Sequence, residues 1–258
     1  MKTAAPMPEE RPRAPAVDQA MEILETIVQS TWPLTLSEIA ERVGIPVASC
    51  HRLLTTLLHR DLIVRDLQRK KAYCAGPKLF LWASAVYLQQ PVVAAFHSIA
   101  DVLKNELHQA VNLSVMAGAH TLVVAHVSWP LSETFGGHVG TSDVLHDAAA
   151  GRAMMSMLSE TVQKNYWTEF LADPQGKRTA RAASEHAWMK ELAEIRRVGY
   201  ALMPSGTRPH VSTLAAPVLN RRGEPLAAIG VCFPAQQDIR HYVTPLIQAT
   251  RQLSSRLG

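Results

Sequence analysis

The chain has 258 residues, 47% of them hydrophobic and 19% charged, with 26 Lys/Arg against 22 Asp/Glu for a formal net charge of +4. That balance excludes a wholly disordered chain, and the length allows one large or two modest cores. Three scattered cysteines, Cys50, Cys74 and Cys232, exclude a disulfide scaffold and fit a reducing, cytoplasmic setting. Residues 1–16, rich in Pro and charge with no apolar run, are expected to be a disordered tail rather than a secretory signal.

Val17, Ala20, Ile23, Leu24, Ile27 and Val28 recur at helical spacing and predict a first helix ending before Trp32-Pro33. Thr35 and Glu38 then have the spacing of a capping box at the start of a second helix, which buries Ile39, Ala40 and Val43. Gly44 supplies the left-handed turn, Ile45 plugs the corner, and Pro46 is expected to open a third helix. Cys50, Leu53, Leu54, Leu57 and Leu58 form the inner stripe of that helix. Val47, Ala48, Ser49, His51, Arg52, Thr55 and Thr56 are left outside. Two helices, a tight Gly turn and an outer face of small and basic residues make a helix-turn-helix whose second helix suits the major groove.

Two short strand-like runs, LIVRD and KKAYCAG, flank the polar tip Leu67-Gln68-Arg69 and predict a β-hairpin wing. Arg69, Lys70 and Lys71 stand at or beside that tip, positioned for phosphates or the minor groove. The isoelectric point near 9.1 thereby acquires a location. Between Arg42 and Lys71 there are seven Lys/Arg against two acids, Asp61 and Asp66. A domain over residues 17–77 is expected.

From Leu79 to Ala100 there are 22 residues without Asp, Glu, Lys or Arg, about the length of a membrane span. Gln89-Gln90-Pro91 interrupts the run, so two helices meeting at the proline are expected and no membrane partner. Leu79, Phe80, Trp82, Ala83, Val86 and Tyr87 cover much of the first of these, a linker over residues 78–91 expected to pack partly on a second subunit.

Over residues 92–258, helices are predicted at 92–109, 147–158, 160–171, 184–198 and 238–256. Strands are predicted at 111–117, 121–128, 199–203, 211–219 and 225–233. This pattern is an α+β domain with a largely antiparallel sheet. No phosphate loop, dinucleotide fingerprint, HExxH or GxSxG is present. Asp143, His146, Asp147, His210, Ser212 and Cys232 hold the residue types of an acid–base–nucleophile set, but no spacing rule unites them. His120, His126, His138, His146 and His210 keep a metal-responsive regulator open as the alternative, although none forms a tight ligand pair. A cytosolic enzyme is the weaker alternative. No metal ligand set is assigned and no cofactor is expected.

Several ordered segments resemble the IclR family of bacterial transcription regulators. In the first half they are V-D-Q-A-M-E-I-L (17–24), L-T-L-S-E-I-A-E-R-V-G-I-P (34–46), H-R-L-L-T-T-L (51–57) and Y-C-A-G-P-K-L (73–79). L-H-D-A-A-A-G-R-A (145–153), R-R-V-G-Y-A (196–201) and L-A-A-P-V (214–218) continue the likeness. The resemblance implies a winged helix-turn-helix, a linker helix and a GAF-like effector domain. It also implies homodimers, often paired into tetramers, that bind double-stranded operator DNA and commonly act as repressors.

The effector wall it implies falls at Ala149, Ala150, Met203, Thr213, Gly230 and Cys232, and Met116, His126, Trp129 and Phe135 are candidates to extend it. Family members often carry a Lys-Ser-Thr-like triplet where this chain has Val47-Ala48-Ser49, which suits thymine methyls. Members that bind small oxo-acids have hydroxyls where Gly230 and Cys232 stand, and acidic residues where Met203-Pro204-Ser205-Gly206 stands. An aromatic or largely apolar effector is therefore expected, with Arg152 or Arg208 as the partner of any acid group it carries.

Overall fold

The structure is a computed structural model and describes residues 14–88, 90–130, 137–172, 184–204 and 210–257. It divides into two compact units, residues 1–86 and 87–258.

In the first unit, α1 (Pro15–Gln29) begins two residues inside the stretch expected to be tail, because Pro15 is already suited to a helix's first turn. The rest of that tail, residues 1–13, lies outside the described residues. Helix α2 (Leu36–Val43) is held by the capping box: the Thr35 side chain accepts from the Glu38 backbone N–H while the Glu38 carboxylate accepts from the Thr35 N–H. Gly44 closes α2 at φ 73, a conformation that costs a side-chain-bearing residue roughly 1 kcal/mol or more. Pro46 is the cap of α3 (Val47–His59) rather than its first helical residue, its ψ of 138 being extended.

Strands β2 (Ile63–Arg65) and β3 (Ala72–Ala75) form the wing. A strand not expected, β1 (Leu34–Thr35), pairs with β3 through Leu34–Tyr73 and makes the sheet three-stranded. Ile23, Ile27, Leu34, Ile39, Cys50, Leu54, Leu57 and Ile63 close a single core beneath it. Helix α4 (Pro77–Leu88) follows, with Phe80, Leu81, Trp82 and Val86 exposed.

The second unit is built on a six-stranded antiparallel sheet. It contains β4 (Val111–Ala117), β5 (His120–Val127), β6 (Ser142–Val144), β7 (Ala201–Met203), β8 (Val211–Leu219) and β9 (Pro225–Pro234), in the order β6-β5-β4-β9-β8-β7. One face is covered by α5 (Pro91–Leu107) and α9 (Arg240–Leu257). Phe96, Leu103, Leu113, Ile229, Phe233, Leu246 and Leu253 form the core there.

The helix expected at 147–158 is divided. Leu145–Asp147 is one 3-10 turn, and α6 (Ala149–Met155) then stops early. Gly151 explains the tight entry, since a Cβ there would collide with the Leu145 carbonyl. Helices α7 (Glu160–Ala172) and α8 (Glu185–Val198) join α6 in a second core that includes Trp167, Trp188, Leu192 and Met203. Helices thus lie on both sheet faces. The apolar 79–100 run is split into α4 and α5 at Pro91, and among the described residues no single helix is long and apolar enough to cross a membrane.

Candidate nucleic-acid interface and effector pocket

On α3, Cys50, Leu54 and Leu57 anchor the buried side, while Val47, Ala48, His51, Arg52, Thr55 and Thr56 are exposed. Ser49 is half-buried, at the edge of that face. Thr55 donates to the His51 carbonyl at 2.8 Å and Thr56 to the Arg52 carbonyl at 3.2 Å. Both hydroxyls therefore spend their hydrogen on the helix and offer acceptor lone pairs and a methyl outward. The face carries one permanent cation, Arg52, among small and apolar groups, and no carboxylate.

The wing departs from expectation at Arg69. Its guanidinium donates to the Glu38 carboxylate at 2.8 Å and to the Pro33 carbonyl, clamping the wing tip to the α2 capping box. Arg69, followed by its Thr35 contacts, holds the Glu38 carboxyl down at about 2. Arg69 is thus engaged by the protein, leaving Lys70 and Lys71, both exposed, as the outward cations at the tip. Lys71 sits at φ 60, the left-handed turn that starts β3. Two further cations of the unit, not among the DNA-contacting residues expected, lie over aromatic rings: Arg65, 5.7 Å from the Tyr73 ring centre, and Arg42, 5.9 Å from that of Trp32. Their sequence signal is the local excess of Lys/Arg between Arg42 and Lys71, to which both belong.

In the second unit, the sheet face opposite α5 and α9 carries the expected wall. His126 stands opposite Asn112, Asn112 opposite Gly230, Gly230 opposite Ala215, and Ala215 opposite Ala201, a row across five strands. In the adjoining row Cys232 faces Thr213 and Thr213 faces Met203. Ala149, Ala150, Met116 and Met203 share one apolar cluster between α6 and this face.

Trp129 lies outside that cluster, with its ring edge-on to His108 at 4.9 Å. Phe135 and Arg208 lie outside the described residues. Two polar pairs on this face are internal to it. His126 Nδ1 is 2.5 Å from Asn112 Oδ1, and Thr213 Oγ1 is 3.5 Å from Cys232 Sγ. Asn112 and Ser114, both buried on β4, are not among the residues expected from sequence. Their signal is the alternation of Asn112, Ser114 and Met116 with the core residues Val111, Leu113 and Val115.

Arg152 is corrected as well. It is 1% exposed, donates from Nε to the His146 carbonyl at 2.7 Å, pairs with Glu191, and lies over the Trp188 ring. It is a buried strut between the 3-10 turn, α6 and α8, its charge already paired with Glu191. Beside it His146 Nδ1 meets the Tyr166 hydroxyl at 3.0 Å. Burial lowers the His146 pKa and raises Tyr166 to about 12, so both are neutral near pH 7.

The acid–base–nucleophile set does not assemble. Ser212 pairs opposite Phe233 on the α5/α9 side, whereas Cys232 is on the other face. Among the described residues no three His, Cys, Asp or Glu side chains stand together as a metal site.

These two surfaces match known proteins in order. The family model for the IclR helix-turn-helix domain matches residues 16–67, and that for the bacterial transcriptional regulator IclR C-terminal domain matches residues 85–257. The chain is 29% identical to the HTH-type transcriptional regulator BhcR of Paracoccus denitrificans, over 93% of this chain and 86% of that protein. It is 25% identical to the transcriptional repressor IclR of Escherichia coli, over 98% of each.

Two solved structures share the fold. Thermotoga maritima IclR superposes with a TM-score of 0.77 at 21% identity, covering 95% of this chain and all of that one. An IclR homologue from Microbacterium hydrocarbonoxydans, complexed with 4-hydroxybenzoate, gives 0.78 at 17% identity, covering 94% and 98%. With the C-terminal model alone spanning more than half of its length, the chain belongs to the IclR family, as a DNA-binding transcription regulator with a ligand-binding C-terminal domain.

Proposed function

We propose that this regulator responds to an aromatic or otherwise largely apolar organic effector, held between the sheet face and α6. The observation that carries this reading is the apolar part of the wall: Met116, Ala149, Ala150 and Met203 present methyl and thioether and Gly230 bare backbone, while its polar members pair with one another, His126 with Asn112 and Thr213 with Cys232. Of the two arginines expected to meet an acid group, the described one, Arg152, is engaged by Glu191 and the His146 carbonyl. A two- or three-carbon oxo-acid needs several hydrogen bonds to bind at all, and such a wall instead rewards flat apolar area at roughly 25 cal/mol per Å². The Microbacterium complex supports the reading at the level of the fold, which there accommodates an aromatic acid.

On the DNA side, Val47, Ala48, Ser49, His51, Arg52 and Thr55 read the major groove while Lys70 and Lys71 contact phosphates. The exposed Phe80, Leu81, Trp82 and Val86 of α4 are covered by a second copy, so that two recognition helices address a pseudo-palindrome. Further pairing of such dimers into tetramers, a cytoplasmic location and action as a repressor complete the proposal.

Calorimetric titration with 4-hydroxybenzoate, benzoate, pyruvate and glyoxylate tests the effector class. Gly230→Ala is the matched variant, because a Cβ there meets nothing nearer than the Leu214 carbonyl at 3.8 Å and leaves the backbone undisturbed. The expected result is saturable binding of an aromatic acid, weakened roughly fivefold or more by the added methyl. Tight binding of pyruvate or glyoxylate with none of the aromatic acids would overturn the reading.

A further inference from the structure

A cleft elsewhere in the C-terminal unit has a chemistry different from that of the wall. It is an open cleft of about 650 Å³ among the end of α8, the β8–β9 turn and α9. Its floor is Met157, Val198, Pro217 and Ile247, and four arginines line it: Arg196, Arg197, Arg221 and Arg251. Their charges are unequally spent. Arg197 is neutralised by Glu194 at 2.6 Å. Arg196 donates one N–H to the neutral Leu158 carbonyl at 3.1 Å and keeps its charge. Arg221 and Arg251 form no ion pair among the described residues, and both are exposed.

The opposing charges are few. Glu224 borders the adjoining groove and accepts from the Asn220 side chain at 2.8 Å. The carbonyl end of α8 adds about half a negative charge. Against these stand three uncancelled guanidiniums around one concavity, and its volume lies within the 300–1,000 Å³ range of small-molecule sites. A flat basic patch would suit a macromolecule, whereas a concave one with an apolar floor suits a compact ligand.

The geometry points to a second ligand site in this cleft, taking a small organic polyanion with at least two phosphate or carboxylate groups bridged by Arg196, Arg221 and Arg251. Planar guanidiniums engage such groups through paired N–H donors, and two anchors separate a polyanion from a singly charged acid. The site shares no residue with the wall proposed for the apolar effector, so either stands without the other.

The test is calorimetric titration of the full chain at low salt with pyrophosphate, citrate and, as the singly charged control, acetate. Pyrophosphate, citrate or both are expected to bind saturably, one per chain, at least about tenfold more tightly than acetate; which of them does so separates phosphate from carboxylate preference. Arg221→Gln and Arg251→Gln each weaken that binding roughly tenfold. Both positions are exposed, so the variants keep the parent far-ultraviolet circular dichroism. Arg240→Gln, a surface arginine paired with Asp238 outside the cleft, leaves affinity unchanged.

Absence of saturable binding, or an equal loss with Arg240→Gln, would overturn the site in favour of diffuse charge. Unchanged anion affinity in the Arg221 and Arg251 variants, with an altered oligomer mass or DNA affinity, would overturn it in favour of a macromolecular contact.

Discussion

Glu191→Ala strands the Arg152 guanidinium, and the cost follows from how unequally the two partners are buried. Arg152 is 1% exposed and its side chain cannot reach water without unpacking α6, whereas the Glu191 side chain is 38% exposed. Removing one partner of a buried pair costs about 3–5 kcal/mol when the other is left without compensation. Two features reduce that here: Arg152 retains the His146 carbonyl, and the exposure of Glu191 screens the pair. The expected loss is therefore about 2 kcal/mol.

Arg152→Met removes the buried charge instead and leaves Glu191 free to hydrate. It gives up the bond to the His146 carbonyl and the contact with Trp188, a loss of about 1 kcal/mol or less once the apolar stem is retained. Denaturant unfolding followed by tryptophan fluorescence reads the difference, because Trp167 and Trp188 lie in this core. A domain of this size shifts its Tm by about 2–4 °C per kcal/mol. Arg152→Met proving as costly as Glu191→Ala, or Glu191→Ala costing nothing measurable, would refute the view that desolvation of the guanidinium dominates.

Other consequences are equally direct. Arg52→Ala should cost about 1–3 kcal/mol of specific operator binding and relax preference at one base pair, whereas Lys70→Ala should weaken all sequences alike and lower the salt slope by about 1, both read by fluorescence anisotropy. The Glu38 carboxyl titrates at about 2, below the ordinary 4.5, so its tie to the wing is complete above pH 4.5 and lost as pH falls through about 2. In an NMR titration Arg69→Ala should return Glu38 toward the usual carboxylate range. Gly151→Ala drives a methyl into the Leu145 carbonyl and should lower the Tm of the C-terminal unit by several degrees, with effector binding lost.

Long periodic segments are legible in the amino-acid sequence itself. The capping box at Thr35, the Gly44 turn, the α3 stripe and the limits of β4 and β8 all follow from local spacing, whereas α5 ends two residues before the expected 109, where His108 turns left-handed. What local spacing does not reveal depends on partners distant in sequence. Strand β1 is two residues long and exists only because Leu34 meets Tyr73, and β6 only because Ser142 meets Leu122. Arg69 reads as a wing cation until Glu38, 31 residues away, takes its guanidinium. Arg152 reads as an effector partner until Glu191, 39 residues on, takes its charge. The apolar members of the wall, Met116, Ala149, Ala150 and Met203, are expected from sequence, yet Asn112 and Ser114 are not: alternation puts them on the face of Met116, but only the cover of that face by α6 buries them.

The most direct test of the account is a mobility-shift titration of the full-length protein on DNA upstream of its own coding region, with and without aromatic acids. The account predicts a saturable, salt-dependent shift that Arg52→Ala moves to higher protein concentration, by about 1–3 kcal/mol, and that one aromatic acid also displaces, because an effector must favour one DNA-binding state over the other. A shift that aromatic acids leave unmoved while a two- or three-carbon oxo-acid alters it, or no shift at low salt with folded protein, would contradict it.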